Sequence, residues 1–367
     1  MKTVVTVTGI RPDFIRMSEV FRSLDNNFNH ILIHTGQHYD SLLSDVFFKD
    51  LDIRAPDFNL QVGAPGKKHH EQQAEIGTKI LNVFEENKIK PDIVLFLGDS
   101  NSVLASVPLR KEGYKIGHIE AGMRSYDERM LEEINRKVCD HVSNLLFVYH
   151  ENYKSKALKE GIPEDRIFVV GNTICEPLLK IKSTVLEDLS EYGNKHIILD
   201  IHRPENFLVK ERLENIVFAA QSYSKEFAIP VKMLGFGRTL DAIAKFNIPT
   251  KGIDVIPLMG YKDFVRFQLE SYFIFSDSGT AQEEPALLNV PVIVPRDFTE
   301  RPESVENGNS FMLRLEDASL QDNISSSISW LSAYKNAKIR PKVGWLGVGH
   351  GATNTSQMIV NILLQKI

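Results

Sequence analysis

The sequence predicts an α/β protein made of two doubly wound parallel-sheet domains, and three observations carry that expectation. Short apolar runs rich in β-branched residues alternate with amphipathic helical stretches almost throughout. Strands that are apolar on both faces belong to sheets covered on both sides, and each parallel crossover needs a helix of the size seen here. The alternation restarts after residue 172, and 367 residues are more than one hydrophobic core comfortably serves.

In the first half, strands are expected at TVVTVTG (3–9), HILIHTG (30–36), DIVLFLGD (92–99), KIGHIE (115–120), NLLFVY (144–149) and IFVVGN (167–172). Helices are expected between them over 12–24, 38–50, 67–89, 101–111, 130–143 and 151–161. The second half offers HIILDIH (196–202), PVKMLGF (230–236), GIDVIPL (252–258), SYFIFSD (271–277) and PVIVP (291–295), again separated by helical patterns. With the boundary at GNTICEP (171–177), the expected domains are 1–172 and 173–352, two Rossmann-like units. The final apolar helix, 353–367, follows a glycine-rich crossing and is expected to pack back on the first domain.

Composition narrows the function classes. At 43% apolar and 25% charged the chain is an ordinary globular protein, with no run apolar enough to span a bilayer. The start, MKTVVTVTGIRPD, has no small-residue cleavage site and reads as a first strand rather than an export signal. Cys139 and Cys175 stand in no metal-binding spacing, which fits a reducing cytoplasm and no structural zinc. The net charge of −5 comes from interspersed residues of both signs, which disfavours a nucleic-acid partner.

Ligands of open α/β sheets bind beyond the carboxyl ends of the strands, so residues just after strands are the informative ones. After the first strand, Gly9 permits a tight turn, Pro12 suits a helix start, and Arg11 stands where a helix N-terminus favours an anion. Arg11 is either an anion ligand or a solvated arginine. The third strand ends in Gly98-Asp99-Ser100-Asn101, where Asp99 is a site residue or a helix cap. The fourth ends in His118-Ile119-Glu120-Ala121-Gly122; a glutamate closing an apolar strand costs desolvation unless it has a task or a partner. Glu132 and Glu133 open a helix, where exposed acids also favour helix starts through the dipole. Carboxylates sharing one cleft would separate in pKa, so that one holds a proton while another is ionised. In the second half, Asp200-Ile201-His202-Arg203-Pro204-Glu205 places a histidine at a strand end, and Ser278-Gly279 can offer backbone N–H groups and a hydroxyl to a phosphate.

The ordered set G-x-R-P, T-G-Q-H, G-D-S-N-S, H-I-E-A-G-x-R, E-E-I-N-R, H-R-x-E-N-F, D-S-G-x-x-Q-E-E and R-D-x-T-E-R-P-E, over about residues 4–310, resembles the non-hydrolysing UDP-N-acetylglucosamine 2-epimerases. The resemblance implies a glycosyltransferase-B type fold, a homodimer, and a UDP-sugar substrate in an interdomain cleft. It implies anti elimination of UDP to 2-acetamidoglucal and re-addition with the opposite configuration at C2, for cell-surface polysaccharide precursors, without cofactor or metal. Carried over by position, Asp99, Glu120, Glu132 and His202 are the catalytic candidates. Arg11, Arg16, Arg136, Ser278, Gly279 and Glu284 are the substrate-binding ones, with Glu284 on the ribose.

Departures from the family pattern are Arg16 for lysine, Leu131 for the proline before the glutamate pair, Pro204 for the second arginine of H-R-R-E, and Pro285-Ala286 after Glu283-Glu284. The segment GAPGKKHHEQQAEIG and GFGRTL (235–240) lack residues tied to allosteric activation by substrate, which puts that activation in doubt. Together these resemble the branch that epimerises UDP-2-acetamido-2,6-dideoxy-L-talose to UDP-N-acetyl-L-fucosamine. A hydrolysing 2-epimerase, a retaining glycosyltransferase and an inactive UDP-sugar sensor are the remaining alternatives.

Overall fold

The computed structural model describes residues 1–37, 48, 50–64, 66–189, 193–315, 319–347 and 354–367. The chain divides into two compact units, Met1–Pro177 with Leu346–Ile367, and Leu178–Trp345. The expected helix over 38–50, His38 of T-G-Q-H and the glycine-rich stretch 348–352 lie wholly or mainly outside the described residues.

Among the described residues, the first unit's sheet has seven strands: β1 (Thr3–Thr8), β2 (Asn29–His34), β3 (Phe58–Asn59), β4 (Ile93–Leu97), β5 (Ile116–Ala121), β6 (Leu145–Val148) and β7 (Ile167–Val169). All pair in parallel, in the order β3-β2-β1-β4-β5-β6-β7. β4 and β5 are buried along their whole length, as strands covered on both faces must be. Helix α1 (Arg11–Asn27) buries Phe14, Met17, Val20, Phe21 and Leu24, the three-and-four spacing of one helical face. Helix α2 (Leu131–Val142) differs: it buries Glu133, Asn135, Arg136, Cys139 and Asp140. A buried face so polar needs partners for every group, and these are described below.

The second unit repeats the plan with β8 (His196–Asp200), β9 (Val231–Leu234), β10 (Ile253–Ile256), β11 (Ser271–Ser276), β12 (Val292–Val294) and β13 (Ser310–Met312), ordered β10-β9-β8-β11-β12-β13 and parallel. Ile197, Leu199, Phe273 and Phe275 from its central strands share a core with Leu213, Ile216, Val217 and Ala220 of α3 (Lys210–Phe227). The last helix, α4 (Thr355–Lys366), belongs to the first unit and packs against α1 through a buried Ile359, Val360 and Leu363 face.

β3 and β13 are absent from the sequence reading. Both are edge strands, of two and three residues, too short to leave a hydrophobic period. The helix expected over 101–111 is a 3₁₀ turn, Asn101–Ala105, followed by an α-helix, Ser106–Lys111. Pro108 has no N–H to give the carbonyl of Leu104, so one continuous α-helix cannot run through both. In each sheet, strand order reverses between β1 and β4 and between β8 and β11, and the loops leaving those strands diverge there. Each unit is a Rossmann-like doubly wound domain. No helix among the described residues is long and apolar enough to cross a membrane.

Candidate functional site

At the carboxyl ends of β1, β4 and β5 the first unit gathers an ionisable cluster. Gly9 leaves β1 so close to the loop after β4 that a Cβ there would stand 2.6 Å from Ser102 Oγ. Asp13 Oδ2 accepts from the backbone N–H groups of Gly9 (2.7 Å) and Ile10 (3.0 Å), which caps α1 and fixes the turn. Burial drives the Asp13 carboxyl up to about 7, and the neighbouring Glu120 charge adds to the rise against those two N–H groups and Arg16. Arg16, one turn further along α1, forms an ion pair with Glu120. Glu120 sits in the left-handed region at φ 69°, where a non-glycine residue is held only by its surroundings. Tyr149 Oη lies 3.4 Å from Glu120 Oε2 and 2.7 Å from Thr173 Oγ1.

Arg136 joins β4 to α2. One guanidinium nitrogen pairs with Asp99 and the other lies 3.2 Å from Glu133 Oε2. Asn135 Nδ2 donates to the Asp99 carbonyl at 2.8 Å, so successive residues of α2 grip both ends of Asp99. Ser100, rather than Asp99, occupies the cap position of the following 3₁₀ turn. The two glutamates of the E-E pair separate by burial. Glu133 is buried and accepts from Ser125 N (3.0 Å), Ser125 Oγ (3.1 Å) and Tyr126 N (3.3 Å), ordering the loop before α2. Glu132 stays partly exposed in the first turn.

The second unit places His202 just after β8. Its Nδ1 lies 3.1 Å from Asp200 Oδ1 and 3.7 Å from Asp277 Oδ1, and its backbone N–H donates to Asp277 Oδ1 at 3.0 Å. Asp277 Oδ2 also accepts from Arg203 N (3.1 Å) and Asn206 Nδ2 (3.0 Å), and Ser276 Oγ donates to Asp200 Oδ2 at 2.7 Å. Burial would lower the imidazole pKa, but the Asp200 charge and hydrogen bond, with Asp277 behind, carry it above the ordinary value. Burial raises the Asp277 carboxyl against the pull of His202. One edge of the ring is thus fixed by carboxylates, while a third of the side chain stays open to solvent.

The turn after β11 departs in part from expectation. The Ser278 N–H donates to Ser276 Oγ (3.0 Å) and the Ser278 hydroxyl lies 3.0 Å from Thr280 Oγ1, so that amide is already engaged. Gly279 is required by packing: a Cβ there would meet Arg301 Nη1 at 2.6 Å and Glu300 Oε1 at 2.7 Å. Beneath it, Arg301 pairs with Glu283 (2.8 Å) and Glu300 (2.5 Å), and Arg296 with Glu300 (3.3 Å), all buried. Glu283 is thereby a structural anchor of the turn, and the ion pairs account for the charged run R-D-F-T-E-R. Glu284 is buried and accepts from Tyr261 Oη (3.0 Å) and Gln268 Nε2 (3.2 Å).

Arg16 and Arg136, expected to bind substrate, are held here by carboxylates of their own unit, and Arg11 begins α1 partly exposed. Sequence reasoning gave no role to Asp13, Asp200 or Asp277, and read Glu133 only as an exposed acid at a helix start. The first looks like an ordinary first-turn acid. Asp200 and Asp277 stand at strand ends, and the rule that selected Asp99 would have selected them. No group of three or more metal-ligating side chains occurs among the described residues.

Each unit is thus a Rossmann-like sheet with ionisable side chains at its strand ends, acids and arginines in the first and an aspartate-held histidine in the second. Residues 22–364 match the family model for UDP-N-acetylglucosamine 2-epimerase. The chain is 36% identical over 328 residues to the UDP-N-acetylglucosamine 2-epimerase of Methanocaldococcus jannaschii, covering 84% of this chain and 87% of that protein. The crystal structure of the M. jannaschii UDP-GlcNAc 2-epimerase in complex with UDP-GlcNAc and UDP superposes with a TM-score of 0.86 at 34% identity, over 100% of both chains. The UDP-2,3-diacetamido-2,3-dideoxy-D-glucuronate 2-epimerase of Pseudomonas aeruginosa is 32% identical over 320 residues, 84% of this chain and 88% of that protein. The chain belongs to the UDP-N-acetylglucosamine 2-epimerase family and is an isomerase, with the glycosyltransferase-B type of fold.

Proposed function

We propose that this enzyme interconverts UDP-GlcNAc and UDP-ManNAc without hydrolysis, in the cytoplasm and as a homodimer, for cell-surface polysaccharide precursors. The observation that carries the reading is the pairing of Glu120 with Arg16 and of Asp99 with Arg136 at the ends of adjacent strands. An arginine beside each carboxylate favours its ionised form, which is what a base needs. The two buried cysteines, neither in a disulfide, fit a reducing compartment.

In the elimination, one carboxylate of the set Asp99, Glu120 and Glu132 takes the C2 proton. The C2–H electron pair becomes the C1–C2 double bond, and the C1–O pair leaves with UDP. Re-addition runs the steps backwards, with the diphosphate oxygen attacking C1 and a proton delivered to the opposite face of C2. Because the C2 proton is weakly acidic, C1–O cleavage runs ahead of its removal and charge builds on the leaving diphosphate. His202, whose protonated form Asp200 and Asp277 favour, neutralises that charge, with Arg11 as a second cation. Arg16 and Arg136 tune the carboxylates and reach the diphosphate only by exchanging their present partners. The turn at Ser278 and Gly279 holds phosphate, and Glu284 the ribose.

The test is incubation with UDP-GlcNAc in heavy water, followed by proton NMR. UDP-ManNAc with deuterium at C2 is expected. Release of free N-acetylmannosamine would overturn the non-hydrolysing reading, and absence of C2 exchange would overturn the epimerase reading for this substrate. UDP-2-acetamido-2,6-dideoxy-L-talose offered in parallel tests the alternative sugar.

A further inference from the structure

Behind the carboxylates of the first unit lies a fully buried histidine that the chemistry above does not use. His118, on β5, is 0% exposed. Its Nδ1 lies 2.6 Å from Asp140 Oδ1, and its Nε2 lies 2.7 Å from the Gly98 carbonyl oxygen. A carbonyl oxygen can only accept. Asp140 is an acceptor as well: its Oδ2 takes the Gly122 N–H (3.1 Å) and stands 2.7 Å from Arg124 Nη2, and His118 and Arg124 hold its carboxyl below the usual range against the effect of burial. Both ring nitrogens must therefore donate, and the ring is an imidazolium. A neutral ring would turn one lone pair against a buried oxygen and leave two polar groups unsatisfied. Charge is balanced locally: His118 and Arg124 face Asp140 and Glu160, the last accepting from Arg124 Nε (2.8 Å) and Nη2 (2.6 Å). Cys139, which precedes Asp140 on α2, also adjoins the ring, and burial is outweighed by these neighbours in holding the proton on His118.

What this cation grips matters more than the cation itself. Gly98 immediately precedes Asp99, and Gly122 follows Glu120 by two residues. Gly98, Glu120 and Gly122 all have left-handed backbones, at φ 71°, 69° and 76°. The two glycines adopt this conformation freely, whereas Glu120, which carries a side chain, keeps it only because its surroundings over-determine it. We infer that His118 is a positioning residue: its doubly donating ring, through the Gly98 carbonyl and through Asp140 on Gly122, fixes the two strand ends that carry Asp99 and Glu120. The inference rests on the proposed function only in giving those two carboxylates the proton chemistry.

The experiment is His118→Gln, which keeps one donor and loses the second, read in three ways. In turnover, kcat for C2 hydrogen exchange falls about 100-fold, the scale of an ångström-level misplacement, while KM stays within about threefold. In the variant's crystal structure, the Gly98 and Glu120 backbones leave their wild-type conformations. In a neutron structure of the wild-type protein at about pH 8.5, well above an ordinary histidine pKa, hydrogen is present on both His118 nitrogens. A variant with kcat within about twofold of wild type, or with unmoved strand ends, overturns the assignment, as does a wild-type ring carrying one hydrogen. Should the variant fail to fold, the neutron measurement decides alone. If the wild-type protein exchanges no C2 hydrogen on any UDP-sugar offered, the proposed function fails, and the two structural readouts still judge His118.

Discussion

Asp200 Oδ1 stands 3.1 Å from His202 Nδ1, and it is this carboxylate, more than the more distant Asp277, that raises the pKa of the ring. The raised pKa extends the cationic form to higher pH than a free histidine allows. Asp200→Asn removes the main attraction, so His202 loses its proton at lower pH. The alkaline limb of kcat/KM is expected to move to lower pH, with the acidic limb unchanged. Stability has the same sign: a raised histidine pKa contributes fully below the unfolded value and is lost as pH rises through the folded one, so the variant forfeits stability mainly at acidic pH. An alkaline limb unmoved by Asp200→Asn would remove His202 from the role assigned to it.

Asp13 gives a pH effect of opposite character to most carboxylates. Its folded pKa of about 7 exceeds the unfolded value, so the folded state retains a proton that the unfolded chain releases. Its contribution is full at low pH, declines as pH rises, and levels off above pH 7. Both backbone N–H groups bind Oδ2 alone, so the amide oxygen of Asp13→Asn can replace it. Urea unfolding should show the variant gaining on wild type by on the order of 2–3 kcal/mol between about pH 5 and pH 8. A constant difference across that range would show that Asp13 does not titrate there.

Asp99→Asn keeps a hydrogen-bond acceptor for Arg136 and removes one of the three carboxylates proposed for the proton chemistry. The exchange of C2 hydrogen should fall by about 10²–10⁴-fold. Calorimetric binding of UDP, assigned to the second unit, should change little. Glu120→Gln should also lower the melting temperature, because it strips the ionised partner from Arg16, whose side chain is only 11% exposed.

Gly279→Ala drives a methyl group against Arg301 and Glu300, and the buried ion pairs have no slack to accept it. Overpacking of this kind costs about 1–3 kcal/mol. Gly237→Ala, at the start of its helix with nothing within 4 Å of the added atom, is the control and should be neutral or slightly stabilising in thermal melts. Equal melting temperatures for the two variants would contradict the packing described beneath the turn.

The sequence carries the sheet plan well because buried parallel strands must be apolar on both faces, and runs such as DIVLFLGD and SYFIFSD have no other reading. It carries the positions of Asp99, Glu120 and His202 for a related reason, since a charged residue closing an apolar strand has to be near an open end. Partnerships are where it falls short. Nothing local tells Glu132 from Glu133, both first-turn acids, yet only Glu133 is buried against Ser125 and Tyr126. Asp140 lies 22 residues from His118 and reads as one more polar residue of α2, although the two form a fully buried pair. The charges of Arg16 and Arg136 are evident, but their carboxylate neighbours depend on how α1 and α2 dock, which no single stretch encodes.

The assignment of Leu346–Ile367 to the first unit bears on the order in which the protein can be born. The second unit is one uninterrupted segment, Leu178–Trp345, and lies within the sequence of the first. Met1–Pro177 precedes the second unit, yet α1 is covered only by α4, which follows it, so the usual N-terminal-first order cannot finish the first unit before the second. Until then the apolar surface of α1 that α4 will cover is open to water.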